Sequence, residues 1–213
     1  MVYMKMIKVI MEKFNKSTLK DYSKDYSNYL KKLLDNLDHS KVQKTFEILE
    51  IARKNDNKIF VIGNGGSAST SSHVANDFGL AALKAQGQKR SKPFRVISLA
   101  DNNSILTALG NDNGYQNIFL EQLKVLYKKG DVVIAISASG NSENLINACA
   151  WIKENNGICI GWLGFDGGKL KNICNETILI ETPFGEYAPV EDMHLIINHI
   201  IVSWMQYHLS EKN

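Results

Sequence analysis

A glycine- and serine-rich loop follows a short apolar run early in this sequence, and residues of these types can bind an anion. The run 58–62 leads into Gly65, Gly66 and Ser67. Where a strand passes into a helix, the first helical N–H groups lack partners and the helix dipole adds partial positive charge, so phosphate is attracted there. Glycine lets a ligand approach the backbone, and Ser67 could cap the helix or donate to phosphate. An ordinary strand-to-helix turn that binds nothing would have the same composition.

A second loop offers three hydroxyl groups after another apolar run. Ser137, Ser139 and Ser142 lie within six residues around Gly140, directly after the run 131–136. Serine hydroxyls both donate and accept hydrogen bonds, so they can surround a phosphoryl group without a lysine or a metal ion. The two loops together predict one phosphate-binding site.

Histidines and carboxylates in two predicted helices suggest a metal site. His73 and Asp77 are four residues apart, which places them on one face of a helix and within reach of one cation. Glu191, His194 and His199 lie in a later helix. Residues 191 and 199 are two turns apart, roughly 12 Å in rise, so one ion joins them only if their side chains converge or the helix begins after Glu191. Glu191 with His194 is a competing pair, and a lone histidine here is more often a packed residue.

The elements that must position these residues alternate along the chain. Apolar and aromatic residues spaced by three and four predict an amphipathic helix from about Leu19 to Leu37. A second helix is predicted from about Lys41 to Arg53, with Ser40 as its N-cap. Short β-rich runs separated by helix-length segments follow, near 58–62, 94–99, 131–136, 157–163 and 176–181.

Strands that alternate with helices predict an α/β fold with a parallel sheet covered on both faces. In such sheets ligands bind outside the carboxyl ends of the strands, where the strand order reverses, and both loops follow strand ends. We find no linker or repeat, so residues 1–213 are expected to form a single domain, with 1–17 as a flexible or peripheral N-terminal segment.

Composition limits the class of protein. The chain has 213 residues, of which 44% are hydrophobic and 22% charged, enough for one substantial core. A formal net charge of +3 is too small to argue for nucleic-acid binding. The sequence lacks an apolar run of about 18 residues, and its start lacks a cleavage site, so we expect no membrane association and a cytoplasmic location. Cys149, Cys159 and Cys174 are interpreted as reduced core residues.

Four sequence strings in the observed order resemble the sugar-isomerase (SIS) domain family. They are Gly-Asn-Gly-Gly-Ser-Ala at 63–68, Gly-Asn-Asp-Asn-Gly-Tyr at 110–115, Ile-Ser-Ala-Ser-Gly-Asn-Ser at 136–142 and Gly-Phe-Asp-Gly-Gly-Lys at 164–169. The resemblance implies a three-layer sandwich with a five-stranded parallel sheet of the flavodoxin-like type, preceded by N-terminal helices. It also implies a homotetramer with active sites between subunits and one Zn²⁺ per subunit.

Within that family the chain most resembles the isomerases of heptose phosphates. These convert sedoheptulose 7-phosphate to D-glycero-D-manno-heptose 7-phosphate and supply heptose for lipopolysaccharide or capsule. The resemblance implies that Asp77 is the catalytic base and His199 the acid. Because aspartate is one methylene shorter than the family's glutamate, Glu191 is an alternative base. The implied metal ligands are His73, Asp77, Glu191 and His199. The implied substrate and phosphate contacts are Asn64, Gly65, Gly66, Ser67, Asn111, Asp112, Ser137, Ser139 and Ser142.

The chain departs from the family pattern at several positions. Asp77 replaces a glutamate and Glu191 a glutamine, so oxygen ligands are kept. Ala81 replaces an arginine, and Ala138 a threonine of the second loop, so a cation and a hydroxyl are lost. Two alternatives therefore stay open: a non-catalytic binding protein, like the relatives that bind a replication initiator, or an isomerase or lyase acting on another sugar phosphate.

Overall fold

Five parallel strands form the central sheet of the computed structural model, which describes residues 18–84 and 92–210. The sheet order is β2-β1-β3-β4-β5, and every neighbouring pair is parallel. The strands are β1 Lys58–Gly63, β2 Arg95–Ser98, β3 Val132–Ser137, β4 Ile158–Gly164 and β5 Glu176–Ile180. The five strands predicted from the sequence are therefore confirmed. The expectation for residues 1–17 lies outside the described residues.

Helices connect the strands and precede the first one. The α-helices are α1 Leu19–Asp35, α2 His39–Lys54, α3 Gly66–Asn76, α4 Asn103–Asp112, α5 Ile118–Leu126, α6 Glu143–Glu154, α7 Leu170–Ile173 and α8 Tyr187–Ser210. A π-helical segment, Asp77–Ala81, continues α3 and passes into one turn at Ala82–Lys84. Within the described ranges, no helix combines the length and the apolar character that crossing a membrane requires.

The start of α2 differs from the prediction. Asp38, rather than Ser40, is the N-cap residue, and its carboxylate accepts hydrogen bonds from the backbone N–H groups of Ser40 and Lys41. The Ser40 hydroxyl donates to the same carboxylate. A carboxylate at this position accepts hydrogen bonds from N–H groups that have no partner within the helix, and it interacts favourably with the helix dipole. Asp38 can therefore stabilise the helix start as well as a serine cap would.

The side chains of the strands alternate between two apolar layers. In β3, Val132, Ile134 and Ile136 pack into one core with α1, α2, α3 and α8, whereas Val133 and Ala135 pack into the other with α5 and α6. All six residues of β3 are buried, as expected of a strand with helices on both sides. The described residues thus form the predicted three-layer sandwich.

The sheet order places both serine-rich loops together. The chain moves from β1 to β2 on one side and returns to β3 on the other, so the strand order reverses between β1 and β3. The loops after β1 and β3 therefore leave the same edge of the sheet from adjacent strands. Parallel sheets bind ligands at such a switch point.

A buried ion pair fixes α2 to the segment that precedes β2. Arg53 donates through Nε and Nη2 to the two carboxylate oxygens of Glu50, at 2.6 and 2.7 Å, and both side chains are less than a tenth exposed. The remaining Nη1 donates to the carbonyl of Lys92 at 2.7 Å, and the guanidinium lies over the ring of Phe94. His208 of α8 lies 3.6 Å from Glu50. The Arg53–Glu50 pair therefore joins α2 to the segment before β2 through Arg53 and to α8 through Glu50.

We expect Arg53→Met to lower the free energy of unfolding by about 3–5 kcal/mol, because the buried Glu50 carboxylate loses both of its short hydrogen bonds and keeps, among the described side chains, only Lys54 and His208 at 3.6 Å. The matched control is Lys44→Met, which breaks the exposed Lys44–Glu47 pair of the same helix and should cost at most about 1 kcal/mol. Urea denaturation of both variants measures the difference. Equal losses would contradict the structural role given to Arg53.

Candidate functional site

The helix after β1 begins at a glycine rather than at a serine cap. Gly65 is the N-cap residue of α3, with a φ of +54° and no side-chain capping bond. The prediction that Ser67 caps the helix is therefore wrong, since Ser67 lies inside the first turn and is 5% exposed. A positive φ favours glycine, so Gly65 lets the chain turn without covering the helix start with a side chain.

Hydroxyl side chains inside α3 bond back to the helix itself. Ser71 donates to the Ser67 carbonyl at 2.8 Å, and Thr70 donates to the Gly66 carbonyl at 3.2 Å. The hydroxyl of Ser72 lies 3.2 Å from the Ala68 carbonyl but is closer to the carboxylate of Asp101, to which it donates. These bonds satisfy the hydroxyls in a helix made largely of residues with low helix propensity.

The loop after β3 is held by its own serines. The hydroxyl of Ser137 accepts from the backbone N–H of Gly140 at 3.0 Å, and the hydroxyl of Ser139 accepts from the N–H of Asn141 at 3.3 Å. Ser142 is the N-cap residue of α6 but makes no side-chain capping bond. Because Ser137 and Ser139 accept these bonds, their hydroxyl hydrogens stay available to donate to an anion.

A third loop, the Gly-Phe-Asp-Gly-Gly-Lys string after β4, interlocks with the serine-rich loop. The N–H of Leu170 donates to the Gly140 carbonyl at 3.0 Å, and the N–H of Lys169 donates to Asn141 Oδ1 at 3.1 Å. Gly140 has a φ of +61°, and a Cβ there would lie 2.0 Å from the Gly167 carbonyl oxygen. Any side chain at position 140 would force these two loops apart.

The two serine-rich loops enclose a cavity of about 150 Å³. Five predicted phosphate contacts line it, Asn64, Ser67, Ser137, Ser139 and Ser142, together with Ala138, Tyr187 and Glu191. The other two predicted side chains, Asn111 and Asp112, are exposed at the end of α4, where Asn111 Nδ2 donates to Asp112, and they do not line it. A larger groove of about 590 Å³ between α1, α2 and β5 contains neither serine-rich loop.

An amide and phenol network supports the first loop, and the sequence did not predict it. Asn64 and Asn144 donate to each other's side-chain oxygens at 2.9 and 2.8 Å, and the hydroxyl of Tyr115 donates to Asn64 Oδ1 at 2.9 Å. Tyr115 belongs to the predicted Gly-Asn-Asp-Asn-Gly-Tyr string. This string therefore reaches the site through Tyr115.

Glu191 contributes a carboxylate to the wall of the phosphate cavity. Its side chain packs over the first residue of α3, so that a Cβ on Gly66 would lie 2.4 Å from Glu191 Oε2. Burial raises the pKa of this carboxyl, and the neighbouring charge of Asp192 raises it further. The position of this carboxylate in a cavity lined by four serines was not evident from the sequence, since the family resemblance placed Glu191 at a metal.

Three of the four predicted metal ligands lie together. His73 Nε2 lies 3.1 Å from His199 Nε2 and 3.1 Å from Asp77 Oδ2, and His199 Nε2 lies 3.9 Å from the same oxygen. Neighbouring ligands of a tetrahedral zinc ion, each about 2.0–2.1 Å from the metal, are roughly 3.3 Å apart. The two imidazoles and one carboxylate therefore fit a zinc ion by donor type and by spacing.

Glu191 does not belong to this group. Among the described side chains, the ligand atoms that lie within 4.8 Å of one another are those of His73, Asp77 and His199. The helix α8 begins at Tyr187, so Glu191 and His199 both lie within it, two turns apart. Glu191 lines the phosphate cavity, whereas His199 contacts His73 of α3 two turns later in α8. The side chains of Glu191 and His199 therefore do not converge on one ion within the chain.

His194 is a core residue, so the alternative pairing of Glu191 with His194 is wrong. The ring is fully buried, and neither nitrogen has a hydrogen-bond partner of ordinary geometry. Burial lowers the pKa of His194 to about 4, and the nearby carbonyl of Leu163 offsets this only partly. His194 is therefore a packed core residue, which is the alternative that the sequence analysis gave for a lone histidine in this helix.

Asn198 is a site neighbour that the sequence reasoning missed. Its Nδ2 donates to Asp77 Oδ2 at 2.7 Å, and the side chain is fully buried. The sequence feature that could have indicated its role is that Asn198 and His199 are the two polar residues in the run 196–202, in which every other residue is apolar. A buried polar side chain within an apolar helical face needs a partner, and here the partner is the candidate ligand Asp77.

The chain matches the SIS domain family over residues 21–164. The phosphoheptose isomerase of a Nitratiruptor species is 40% identical over 152 residues, which cover 71% of this chain and 78% of that protein. The phosphoheptose isomerase of one Helicobacter pylori strain is 34% identical over 184 residues, covering 86% and 92% respectively.

Solved structures of similarly named proteins share the fold. The phosphoheptose isomerase of Neisseria gonorrhoeae superposes with a TM-score of 0.69 at 29% identity and covers 86% of this chain and 92% of that one. A phosphoheptose isomerase from Francisella tularensis gives a TM-score of 0.75, covering 88% and 98%, and its identity of 24% supports the fold alone.

We expect Glu191→Gln to tighten sulfate binding about tenfold at pH 8, because it removes a negative charge from the cavity wall. Sulfate is a suitable probe since it stays dianionic at this pH. Isothermal titration calorimetry measures the Kd. The control is Asp192→Asn, which removes the adjacent charge, one that is bonded to Tyr26; its Kd should change less than threefold. Unchanged binding in Glu191→Gln would place the anion elsewhere.

Proposed function

The chain belongs to the SIS domain family and, within it, to the phosphoheptose isomerases, and we propose that it interconverts sedoheptulose 7-phosphate and D-glycero-D-manno-heptose 7-phosphate. The observation that carries the proposal is that His73, Asp77 and His199 lie on the same two helices whose other ends border the phosphate cavity. One end of a substrate can then be anchored while the other end reacts.

The spacing between the two parts of the site suits a seven-carbon chain. Ser67 and His73 are six residues apart in α3, which corresponds to about 9 Å along the helix axis. The carbonyl carbon and the terminal phosphate of an extended heptose phosphate are also separated by about 8–9 Å, given carbon–carbon bonds of roughly 1.5 Å. A phosphate held by the serines would therefore leave the carbonyl end near the histidines.

The reaction requires a proton to move between two adjacent carbons through an enediol. In our proposal Asp77 removes this proton, and His199 exchanges a proton with the substrate oxygens. Asp77 Oδ2 and His199 Nε2 lie 3.9 Å apart, so both can reach neighbouring atoms of one substrate, and each would transfer a proton only while that atom is not bound to an ion. Glu191 is less suited as the base because it lies beside the phosphate cavity, about 12 Å along α8 from His199.

We further propose that His73, Asp77 and His199 hold one Zn²⁺. When bound, the ion would polarise the carbonyl and hydroxyl oxygens of the substrate. The remaining task falls to the chain itself, because the serines of the cavity would anchor the phosphate. Glu191 is not needed as a ligand in this arrangement, and a substrate oxygen or water can complete the coordination.

The two alternatives are less well supported. A binding protein would not need the group of His73, Asp77 and His199, which is complete here. Action on another sugar phosphate was suggested by Ala81 and Ala138. Ala138 lines the phosphate cavity without a hydroxyl, while the side chain of Ala81 lies outside the described residues.

We also propose a homotetramer with active sites between subunits. Near the candidate metal ligands, α8 exposes Ile200, Trp204 and Tyr207, which form an apolar stripe next to His199. A second copy of the chain would cover this stripe and exclude water from the half-exposed histidines. We propose that the enzyme acts in the cytoplasm, where phosphorylated sugars are made, and supplies heptose for lipopolysaccharide or capsule.

Incubation of the zinc-loaded enzyme with sedoheptulose 7-phosphate in D₂O tests the reaction. We expect deuterium at C2 of the aldose product, because the enediol takes its proton from an exchanging group. Proton and carbon NMR measure it. The matched variant is His199→Asn, which should fold normally and lose at least about a hundredfold in kcat, the usual contribution of a general acid. Absence of exchange in the wild-type enzyme that binds zinc would favour another sugar phosphate.

Ser139→Ala should raise KM about three- to tenfold and leave kcat nearly unchanged, because a hydroxyl that binds a remote phosphate acts equally on ground and transition states. Steady-state kinetics with sedoheptulose 7-phosphate measure both constants. Ser23→Ala, which removes an exposed hydroxyl in α1, is the control and should change neither. A fall in kcat alone would contradict the assignment of Ser139 to phosphate binding.

A further inference from the structure

We propose that Asn198 is a positioning residue that fixes the Asp77 carboxylate for metal binding, an inference that rests on the proposed metal site. Asn198 Nδ2 donates to Asp77 Oδ2 at 2.7 Å, and His73 Nε2 lies 3.1 Å from this same oxygen. A carboxylate oxygen has two acceptor positions, so Oδ2 can accept from Asn198 and still face the histidines. Asn198 thus determines which oxygen of Asp77 points into the group.

The orientation of the Asn198 amide follows from its partner. An ionised carboxylate only accepts hydrogen bonds, so the NH₂ group must face Asp77 and the amide oxygen must point away. That oxygen, Oδ1, is buried and has no hydrogen-bond partner. A buried acceptor without a partner is unfavourable, since its bond to water is lost on folding.

Packing alone does not account for an amide at position 198. Its helical neighbours Ile197 and Ile201 belong to the apolar core between α8 and the sheet. An apolar side chain of the same branched shape would fill this position without leaving an orphan oxygen. Groups kept at a cost to stability are typical of functional sites, and the function here is on the other side of the amide, at Asp77.

The remaining support of Asp77 is weaker. Its second oxygen, Oδ1, accepts from Asn76 Nδ2 at 3.2 Å, and Asn76 lies on the exposed side. Asp77 is also the first residue of the π-helical segment, where the regular helical pattern is interrupted. Partners that orient a metal ligand typically contribute 10- to 100-fold to metal affinity, and of the two amides Asn198 makes the shorter and less exposed bond.

Metal titration of three proteins tests the proposal: wild type, Asn198→Leu and Asn76→Ala. Leucine keeps the branched shape of asparagine and removes the donor, and Asn76→Ala removes the exposed donor to the other oxygen. We expect wild type to bind one Co²⁺ per chain with visible absorption bands. Asn198→Leu should bind 10- to 100-fold more weakly, and Asn76→Ala less than threefold more weakly.

Thermal unfolding of the metal-free proteins separates positioning from a structural role. The apo form of Asn198→Leu should be as stable as wild type or more stable, because the orphan oxygen is gone. Equal Co²⁺ affinity in wild type and Asn198→Leu would overturn the proposal, and so would weaker binding matched by a loss of apo stability. If Asn198→Leu does not fold, Asn198→Ala removes the same donor without added bulk. Failure of the wild type to bind Co²⁺ would instead overturn the metal site itself.

Discussion

The contact between α3 and α8 is the constraint on which the whole site depends. The two helices meet at three levels: Gly66 lies beneath Glu191, His73 faces His199, and Asp77 accepts from Asn198. The first contact closes the phosphate cavity and the others assemble the candidate ligands. Because one helix pair supplies both halves, the distance between phosphate and reacting carbons is set by helix geometry.

The sheet explains why this helix pair can serve a ligand. Both serine-rich loops leave adjacent strands where the strand order reverses, and the start of α3 is the junction between sheet and site. The close contact between Gly140 and the loop after β4 then fixes the position of the serines that follow β3. Each part is local in sequence, but the cavity exists only when β1, β3 and β4 lie side by side.

The sequence allowed the strands, the layer order and the phosphate loops to be predicted because these follow from local apolar runs and from glycine and serine at strand ends. It failed at Ser40 and Ser67, since neighbouring Asp38 and Gly65 could cap equally well. Glu191 could not be placed because a helix start cannot be located to within one turn from sequence. Asn198 was missed for a different reason: its partner Asp77 is 121 residues away, and only tertiary structure reveals such a pair.

The composition of α3 has a further consequence for the dynamics of the protein. Glycine and serine contribute little intrinsic helix stability, and the hydroxyls of Thr70 and Ser71 donate to the helix's own carbonyls. The helix is therefore maintained by its tertiary contacts, above all those with α8. Backbone amides of α3 should exchange with solvent faster than those of the buried strands, and a bound anion at Gly65 would slow that exchange. The phosphate of a substrate would thus contribute to the order of the helix that carries its catalytic groups.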